Sequence, residues 1–198
     1  MPNLTDLATV RDICARYDFA TSKGFGQNFI VNAGIPPRMA EACGAGPDWG
    51  VLEIGPGIGV LTKELALRAK KVVALEVDKR LPPILEETLA EFDNVKVILE
   101  DALKCDISAL IAREFPGMKV AVCANLPYYI TSPILMRLLE AHLPVENITV
   151  MVQKGLHSAS RPSPAPVRPV PSAVRWPIMP SPSCCSACSP AAFSPPPR

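Results

Sequence analysis

Long apolar runs are missing from this 198-residue chain. No stretch approaches 18 consecutive apolar residues, which excludes a membrane-spanning helix on sequence grounds. The start, Met1-Pro2-Asn3-Leu4-Thr5-Asp6, lacks the basic and apolar regions of a secretory signal, so a cytoplasmic protein is expected. A charge excess is missing as well. Lys and Arg number 20 and Asp and Glu 19, a formal net charge of +1 that gives no whole-chain footprint for nucleic acid. A disulfide framework is also absent: Cys14, Cys43, Cys105 and Cys123 occur singly and read as small buried hydrophobes in a reducing compartment.

What is present changes sharply at about Lys154. Residues 1–154 hold 16 of the Lys+Arg and all 19 Asp+Glu. Residues 155–198 hold 12 of the 23 prolines, 9 serines and 4 arginines, with no Asp, Glu or Lys. A tract more than a quarter proline, with few periodic apolar positions, is expected to form neither helices nor ladders. The working domain is therefore expected to be 1–154, and 155–198 a Pro/Ser/Arg-rich tail.

Inside that domain the apolar period alternates between two kinds. Leu4, Leu7, Ala8, Val10, Ile13 and Cys14 recur at mostly three- and four-residue steps, a helix within 4–18 that Thr5 or Asp6 can cap. Thr21 to Asn28 is a glycine-containing loop, and 35–43 a helix with Pro36 and Pro37 in its first turn. Five short apolar strands follow, at 51–54, 72–76, 95–99, 120–124 and 148–152. Helical stretches to about Ala69, over 82–91, near 107–114 and over 132–141 separate them. Near-continuous apolar strands alternating with helices predict an α/β fold: a mostly parallel, Rossmann-like sheet with helices on both faces.

The first strand runs into Gly55-Pro56-Gly57-Ile58-Gly59, the turn at which such sheets bind cofactors. Val60 stands where G-x-G-x-x-G places its last glycine, so the dinucleotide fingerprint is not met and a nicotinamide dehydrogenase is disfavoured. Glu76 ends the second strand 21 residues after Gly55, where a carboxylate accepts hydrogen bonds from ribose hydroxyls. Asp101 follows the third strand and can bond an adenine amino group. Singly, Glu76 and Asp101 read equally as helix caps or solvated charges. Three consecutive strand ends converging on one nucleoside is the stronger signal.

Asn125-Leu126-Pro127-Tyr128 follows the fourth strand directly. A polar residue, a proline without an N–H and an aromatic suit a planar amine-bearing ring. The exocyclic amine of adenine is a poor nucleophile because its lone pair is delocalised into the ring. The Asn125 side-chain oxygen and a backbone carbonyl, accepting its two N–H groups, would localise that pair toward an incoming methyl group, with Tyr128 stacked on the base. Catalysis would then come from positioning and electrostatics, without a strong general base.

Gly26-Gln27-Asn28-Phe29, Glu53-Ile54-Gly55-Pro56-Gly57, Glu76-Val77-Asp78, Asp101-Ala102, Asn125-Leu126-Pro127-Tyr128 and Gln153-Lys154 together resemble the small-subunit ribosomal RNA adenine dimethyltransferase family. The order and spacing match over about residues 20–154. The resemblance implies a class I methyltransferase fold with S-adenosylmethionine as donor, dimethylating the N6 amines of two adjacent adenosines in a 3′-terminal hairpin of 16S rRNA. It further implies donor contacts from Asn28, Ile30 (where the family usually has Leu), Gly55, Gly57, Glu76, Asp101 and Asn125. Asn125, Leu126, Pro127 and Tyr128 would form the catalytic turn. The sister family that methylates large-subunit rRNA typically reads Glu-Ile-Gly-Ser/Thr-Gly and Asn-Ile-Pro-Tyr, so Pro56 and Leu126 favour the small-subunit branch. The expected partner is 16S rRNA in the small ribosomal subunit, with no membrane, no metal and a monomeric state. Target adenines would have to be splayed out of the RNA to reach Tyr128. Lys63, Arg68, Lys70, Lys71, Lys79 and Arg80 read either as contacts for the RNA backbone or as a solvated helix face.

The chain departs from the family after Lys154. The family continues with a further helical stretch, an edge hairpin and a small helical domain, whereas Gly155-Leu156-His157-Ser158 opens the proline-rich tract. That tract reads as an out-of-frame translation, and Phe193-Ser194-Pro195-Pro196-Pro197-Arg198 resembles a later Phe-x-Pro-Pro-Pro-Lys motif of the family, as if a second shift restored the frame. In the family that phenylalanine stacks on the target base, which makes Phe193 a candidate. Cys184, Cys185 and Cys188 lack a fourth ligand for a metal. By composition the tract also suits a linker or a proline-recognition ligand. Without the hairpin and much of the target-binding wall, the fifth strand is expected to be an uncovered apolar edge, and the chain to bind the donor but methylate ribosomal subunits poorly or not at all. A ribosomal RNA-binding assembly factor without required catalysis is the alternative function.

Overall fold

Strands buried on both faces need cover on both, and the chain supplies it from two sets of helices. The computed structural model describes residues 3–19, 32–151 and 173–177. Its elements run α1 (Leu7–Arg16), α2 (Ile35–Cys43), β1 (Gly50–Ile54), α3 (Val60–Ala66), β2 (Lys71–Glu76), α4 (Pro82–Thr88), β3 (Val95–Leu99), α5 (Ile107–Glu114), β4 (Val120–Asn125), α6 (Tyr128–Glu140), β5 (Asn147–Met151) and β6 (Ala173–Pro177). The strands form one sheet in the order β3-β2-β1-β4-β5-β6. β1 to β5 are mutually parallel, as their apolar sequences require, and β6 is antiparallel to β5.

Period-2 alternation divides the strand residues between two cores. Val51, Val72, Ala121 and Cys123 meet Met39, Leu61, Leu65, Ile84 and Leu85 on one face. Leu52, Val73, Leu75, Val122 and Ile148 meet Leu110, Ile111, Ile134 and Leu138 on the other. Local chemistry starts and stops the helices. The Asp6 carboxylate accepts the Thr9 N–H at 2.9 Å to cap α1, and the Asp106 carboxylate caps α5 through Ala109 in the same way. α2 takes Pro36 and Pro37 in its first turn and ends on Gly44 at φ 69°. Gly50 opens β1 beside Phe115, where a Cβ would lie 2.2 Å from the ring's Cδ1.

Two differences from the sequence expectation have physical causes. The last long helix begins at Tyr128 rather than 132, so Pro133 lies inside it and not in its first turn. The Pro127 carbonyl makes this start work: it accepts the N–H groups of Ile130 and Thr131 at 3.1 and 3.2 Å and the Thr131 hydroxyl at 2.9 Å. The second difference corrects the account of the tail. Residues 173–177 do form a ladder, pairing Ile148 with Trp176 and Val150 with Val174, so β5 is covered along its outer edge. Composition averaged over 44 residues concealed a short β-competent run, Ala173-Val174-Arg175-Trp176, free of internal proline. Pro177 closes it on an edge strand, where a missing N–H is tolerated. The rest of the tail, including Phe193 and the cysteines at 184, 185 and 188, lies outside the described residues. Among the described residues no helix is long and apolar enough to cross a membrane.

Candidate functional site

Parallel pairing brings the strands to one carboxyl edge in register. Ile54 of β1 lies opposite Leu75 and Ala124, Glu76 of β2 opposite Leu99, and Asn125 of β4 opposite Met151. The sheet order reverses direction between β1 and β4, and a crevice for ligands opens at that kind of junction. The turn after β1 and the turn after β4 flank it. They face each other, since a Cβ added to Gly55 would lie 3.9 Å from Leu126 Cδ2.

Gly55, Gly57 and Gly59 have φ of 73°, 59° and 89°. Three left-handed residues in five explain why the turn is glycine-rich: L side chains rarely adopt this backbone. Gly59 is doubly constrained, with Leu89 Cδ2 only 3.0 Å from where its Cβ would stand.

Glu76 is 5% exposed and ends β2. Its Oε1 accepts the N–H groups of Val77 and Asp78, each at 2.8 Å. Those bonds hold the carboxyl group across the strand end, where the Gly57 N–H of the glycine turn also favours its ionised form. Burial nevertheless raises its pKa above the ordinary glutamate value; the Asp78 and Val77 amides oppose this, and the charge of Asp78 adds to it. Asp101, after β3, accepts the Leu103 N–H at 2.9 Å through Oδ1. Its Oδ2 lies 3.5 Å from Lys104 Nζ. The side chain of Asn125 is half-buried, and among the described residues no group bonds it. Leu126 is likewise half-buried beside it. Pro127 takes an extended conformation, φ −55° and ψ 140°, and turns the chain into α6. With the Pro127 carbonyl engaged by α6, that of Leu126 is the turn acceptor to which no described residue donates. Tyr128 is the first residue of α6. Asn28 and Ile30 lie outside the described residues.

Residues 19–163 match the family described as ribosomal RNA adenine dimethylase. The chain belongs to that family. It is 50% identical over 153 residues to the ribosomal RNA small subunit methyltransferase A of Geobacillus thermodenitrificans, covering 75% of this chain and 52% of that protein. It is 48% identical over 164 residues to the protein of the same name from Bacillus licheniformis, covering 80% and 56%. The chain thus spans about half the length of these curated relatives. Among solved structures, the 23S rRNA methyltransferase ErmE is 37% identical with a TM-score of 0.54, over 63% of this chain and 48% of that one. A dimethyladenosine transferase from Plasmodium falciparum is 32% identical with a TM-score of 0.51, over 62% and 42%.

In this dimethylase-family chain the structure also shows residues whose part the sequence did not reveal. Glu53, on β1 and fully buried, has neither carboxyl oxygen within hydrogen-bonding geometry of a described donor. Burial pushes its carboxyl up to about 8; the neighbouring Thr62 hydroxyl opposes that and the charge of Glu76 adds to it. A lone carboxylate in an otherwise apolar strand was the available signal. The sign of its linkage is fixed. A folded pKa above the unfolded one means that the unfolded chain loses its proton first. Stability therefore falls as pH rises from about 4.5 to about 8. Glu53→Gln is expected to gain on the parent over that interval, by roughly 2–4 kcal/mol at pH 8 relative to pH 5. Thermal unfolding of both proteins across this range checks it; a gap that narrows with pH would contradict the assignment.

The six basic residues do not form one patch. Lys71 begins β2 whereas Lys79 and Arg80 follow its end, about 20 Å away along a six-residue strand. Three are engaged with carboxylates: Arg68 with Glu64 at 2.7 Å, Lys71 with Glu114 at 3.0 Å, and Arg80 with Asp78 at 2.6 Å. Among the described residues no group of three or more His, Cys, Asp or Glu is placed to hold a metal ion.

Proposed function

We propose that this chain binds S-adenosylmethionine at the carboxyl edge of β1 to β4 and methylates the N6 amines of adenosines in small-subunit ribosomal RNA. One observation carries the reading. A left-handed glycine turn, a ribose-type carboxylate, a second acidic strand end and an asparagine with no partner among the described residues follow four adjacent parallel strands, in a chain of this family. The small-subunit branch is supported by Pro56 and Leu126 and by the names of the curated relatives.

The residues present fit the donor. The glycine turn admits close backbone approach beside Leu126, suited to the methionine part. Glu76, held through Oε1, offers its carboxylate to the ribose hydroxyls, and Asp101 is placed one strand further on for the adenine amine. Asn28 and Ile30 complete the donor set by resemblance. When bound, the donor would supply an electrophilic methyl group on a sulfonium centre, whose sulfur keeps the S–C electron pair and leaves as a neutral thioether.

The chain's own work is positioning. Asn125 Oδ1 and the Leu126 carbonyl accept the two N–H groups of a target adenine, which draws its lone pair out of conjugation with the ring and toward the methyl group. Pro127 contributes no N–H to compete for those acceptors and orients the turn into α6. Tyr128 stacks on the base. As the N–C bond forms, the amine becomes cationic; the two oxygens stabilise that charge, and its proton then leaves to solvent. No residue of the set is a strong base, and none is needed, because the proton becomes acidic only once the methyl group has transferred.

Calorimetric titration with S-adenosylmethionine, followed by mass spectrometry of undermethylated small subunits incubated with the protein, tests the reading. Donor binding together with slowly formed methylated adenosines is the expected result. RNA binding without methyl transfer at any incubation time would favour the assembly-factor role instead.

A further inference from the structure

Glu76 is the end of a longer chain of contacts. The N–H of Asp78 donates to Glu76 Oε1 at 2.8 Å, and the Asp78 carboxylate, 4% exposed, receives a guanidinium fork from Arg80. Arg80 Nε reaches Asp78 Oδ1 at 2.9 Å, Nη2 reaches Oδ2 at 2.6 Å, and the Arg80 backbone N–H bonds Oδ1 at 3.0 Å. The guanidinium carbon then sits 4.8 Å from the ring centroid of Phe19, a core residue from the segment after α1. A bidentate, stacked arginine holds a plane and not merely a charge. The Glu76-to-Arg80 turn is thus tied to a residue more than 50 positions earlier in the chain.

We propose that Arg80 is a positioning residue for the methyl donor: stacked on Phe19 and forked onto Asp78, it fixes the turn whose amides aim the Glu76 carboxylate at the ribose. This rests on the reading above that Glu76 holds the ribose. Two effects follow from the geometry. The fork keeps the Asp78 N–H aligned on Oε1. It also offsets part of the negative charge of Asp78, which opposes ionisation of Glu76 two residues away. The other acidic groups at this edge are Glu53 from β1 and Asp101 after β3, with Lys104 beside Asp101. The described contacts of Arg80, to Asp78 and Phe19, reach none of these three.

Titration of S-adenosylmethionine into the full chain and its Arg80 variants, between pH 5.5 and 8, tests this. Arg80→Ala is expected to bind the donor about tenfold more weakly or worse, the loss of hydrogen bonds to a charged group. Its affinity should also fall off at higher pH than the parent's as the solution is acidified. Arg80→Lys keeps the charge without the fork. It should recover part of the affinity and return the acid limb toward that of the parent. Should Arg80→Ala fail to fold, Arg80→Gln, which keeps a polar stem over Phe19, takes its place with the same expectation. A folded Arg80→Ala with parental affinity and a parental acid limb overturns the proposal while Glu76's role stands. Equal losses in the Ala and Lys variants with an unmoved limb overturn it too, since they indicate lost packing alone. Failure of the parent to bind the donor removes the Glu76 reading, and this proposal with it.

Discussion

Asn125→Ala is expected to slow methyl transfer to undermethylated small subunits by roughly 10²–10³-fold, the range found when one preorganised hydrogen-bonding group is removed from a reacting centre. The expectation comes from what surrounds the side chain. Asn125 closes β4 in register with Met151, so its backbone is held by the sheet, while no described residue bonds its amide. A half-buried amide with no partner among the described residues is placed for a ligand. The Leu126 carbonyl cannot substitute, since one acceptor would leave the amine free to conjugate with its ring. Donor binding should survive far better, weakened by about tenfold or less, because Gly55, Glu76 and Asp101 remain. Asn125→Asp separates charge from geometry: it keeps an acceptor oxygen and adds a negative charge, and partial activity is expected. Mass spectrometry of the RNA beside donor calorimetry reads both quantities. Parallel losses of binding and transfer in Asn125→Ala would assign the residue to donor affinity and not to the amine.

Much of this arrangement is legible before any coordinates. The five parallel strands stand out because each is a short apolar run bounded by polar or glycine residues, and the structure moves their bounds by one residue at most. Helix bounds were harder. The sequence reading starts the last long helix at 132, yet the Pro127 carbonyl and Thr131 start α6 four residues earlier. The tail failed for a different reason. Composition reports on 44 residues together, whereas the β6 ladder needs only five, so Ala173–Pro177 disappears into the average. Around the crevice, residue types at strand ends carry information that spacing alone preserves: glycines for a left-handed turn, Glu76, Asp101 and Asn125. What spacing cannot carry is contact between distant segments. Nothing in Phe19 or Arg80 as letters says that one ring lies under the other's guanidinium, and Arg80 reads from sequence as one more surface cation. Glu53 shows the same limit from the opposite side. Its place in an apolar strand is visible, but that no described donor reaches its oxygens in hydrogen-bonding geometry is a property of the folded core.

Glu76→Ala is expected to have the largest effect on the donor, weakening S-adenosylmethionine by roughly 10²–10³-fold, as two charge-assisted hydrogen bonds to ribose hydroxyls are lost. The parent's own affinity should carry a pH signature of the same residue. Burial, with the charge of Asp78 assisting, raises the Glu76 pKa, so its carboxylate is protonated at a higher pH than an ordinary glutamate. A protonated carboxyl accepts less strongly and offers a donor where the ribose also has donors. Donor affinity is therefore expected to rise with pH through that elevated pKa and then level off. Glu76→Gln fixes the neutral state, since its amide oxygen still accepts from the Val77 and Asp78 N–H groups. Its affinity should lie between those of the parent and Glu76→Ala and lose the pH dependence. Protein stability responds in the opposite sense, because a raised carboxyl pKa makes the parent less stable as pH rises, and Glu76→Gln removes that slope. Calorimetry and thermal unfolding on the same three proteins thus give two curves of opposite slope from one group. A parent whose donor affinity is flat from pH 5 to 8, or a Glu76→Ala variant that binds as the parent does, would remove the ribose contact from Glu76 and leave the crevice without its principal anchor.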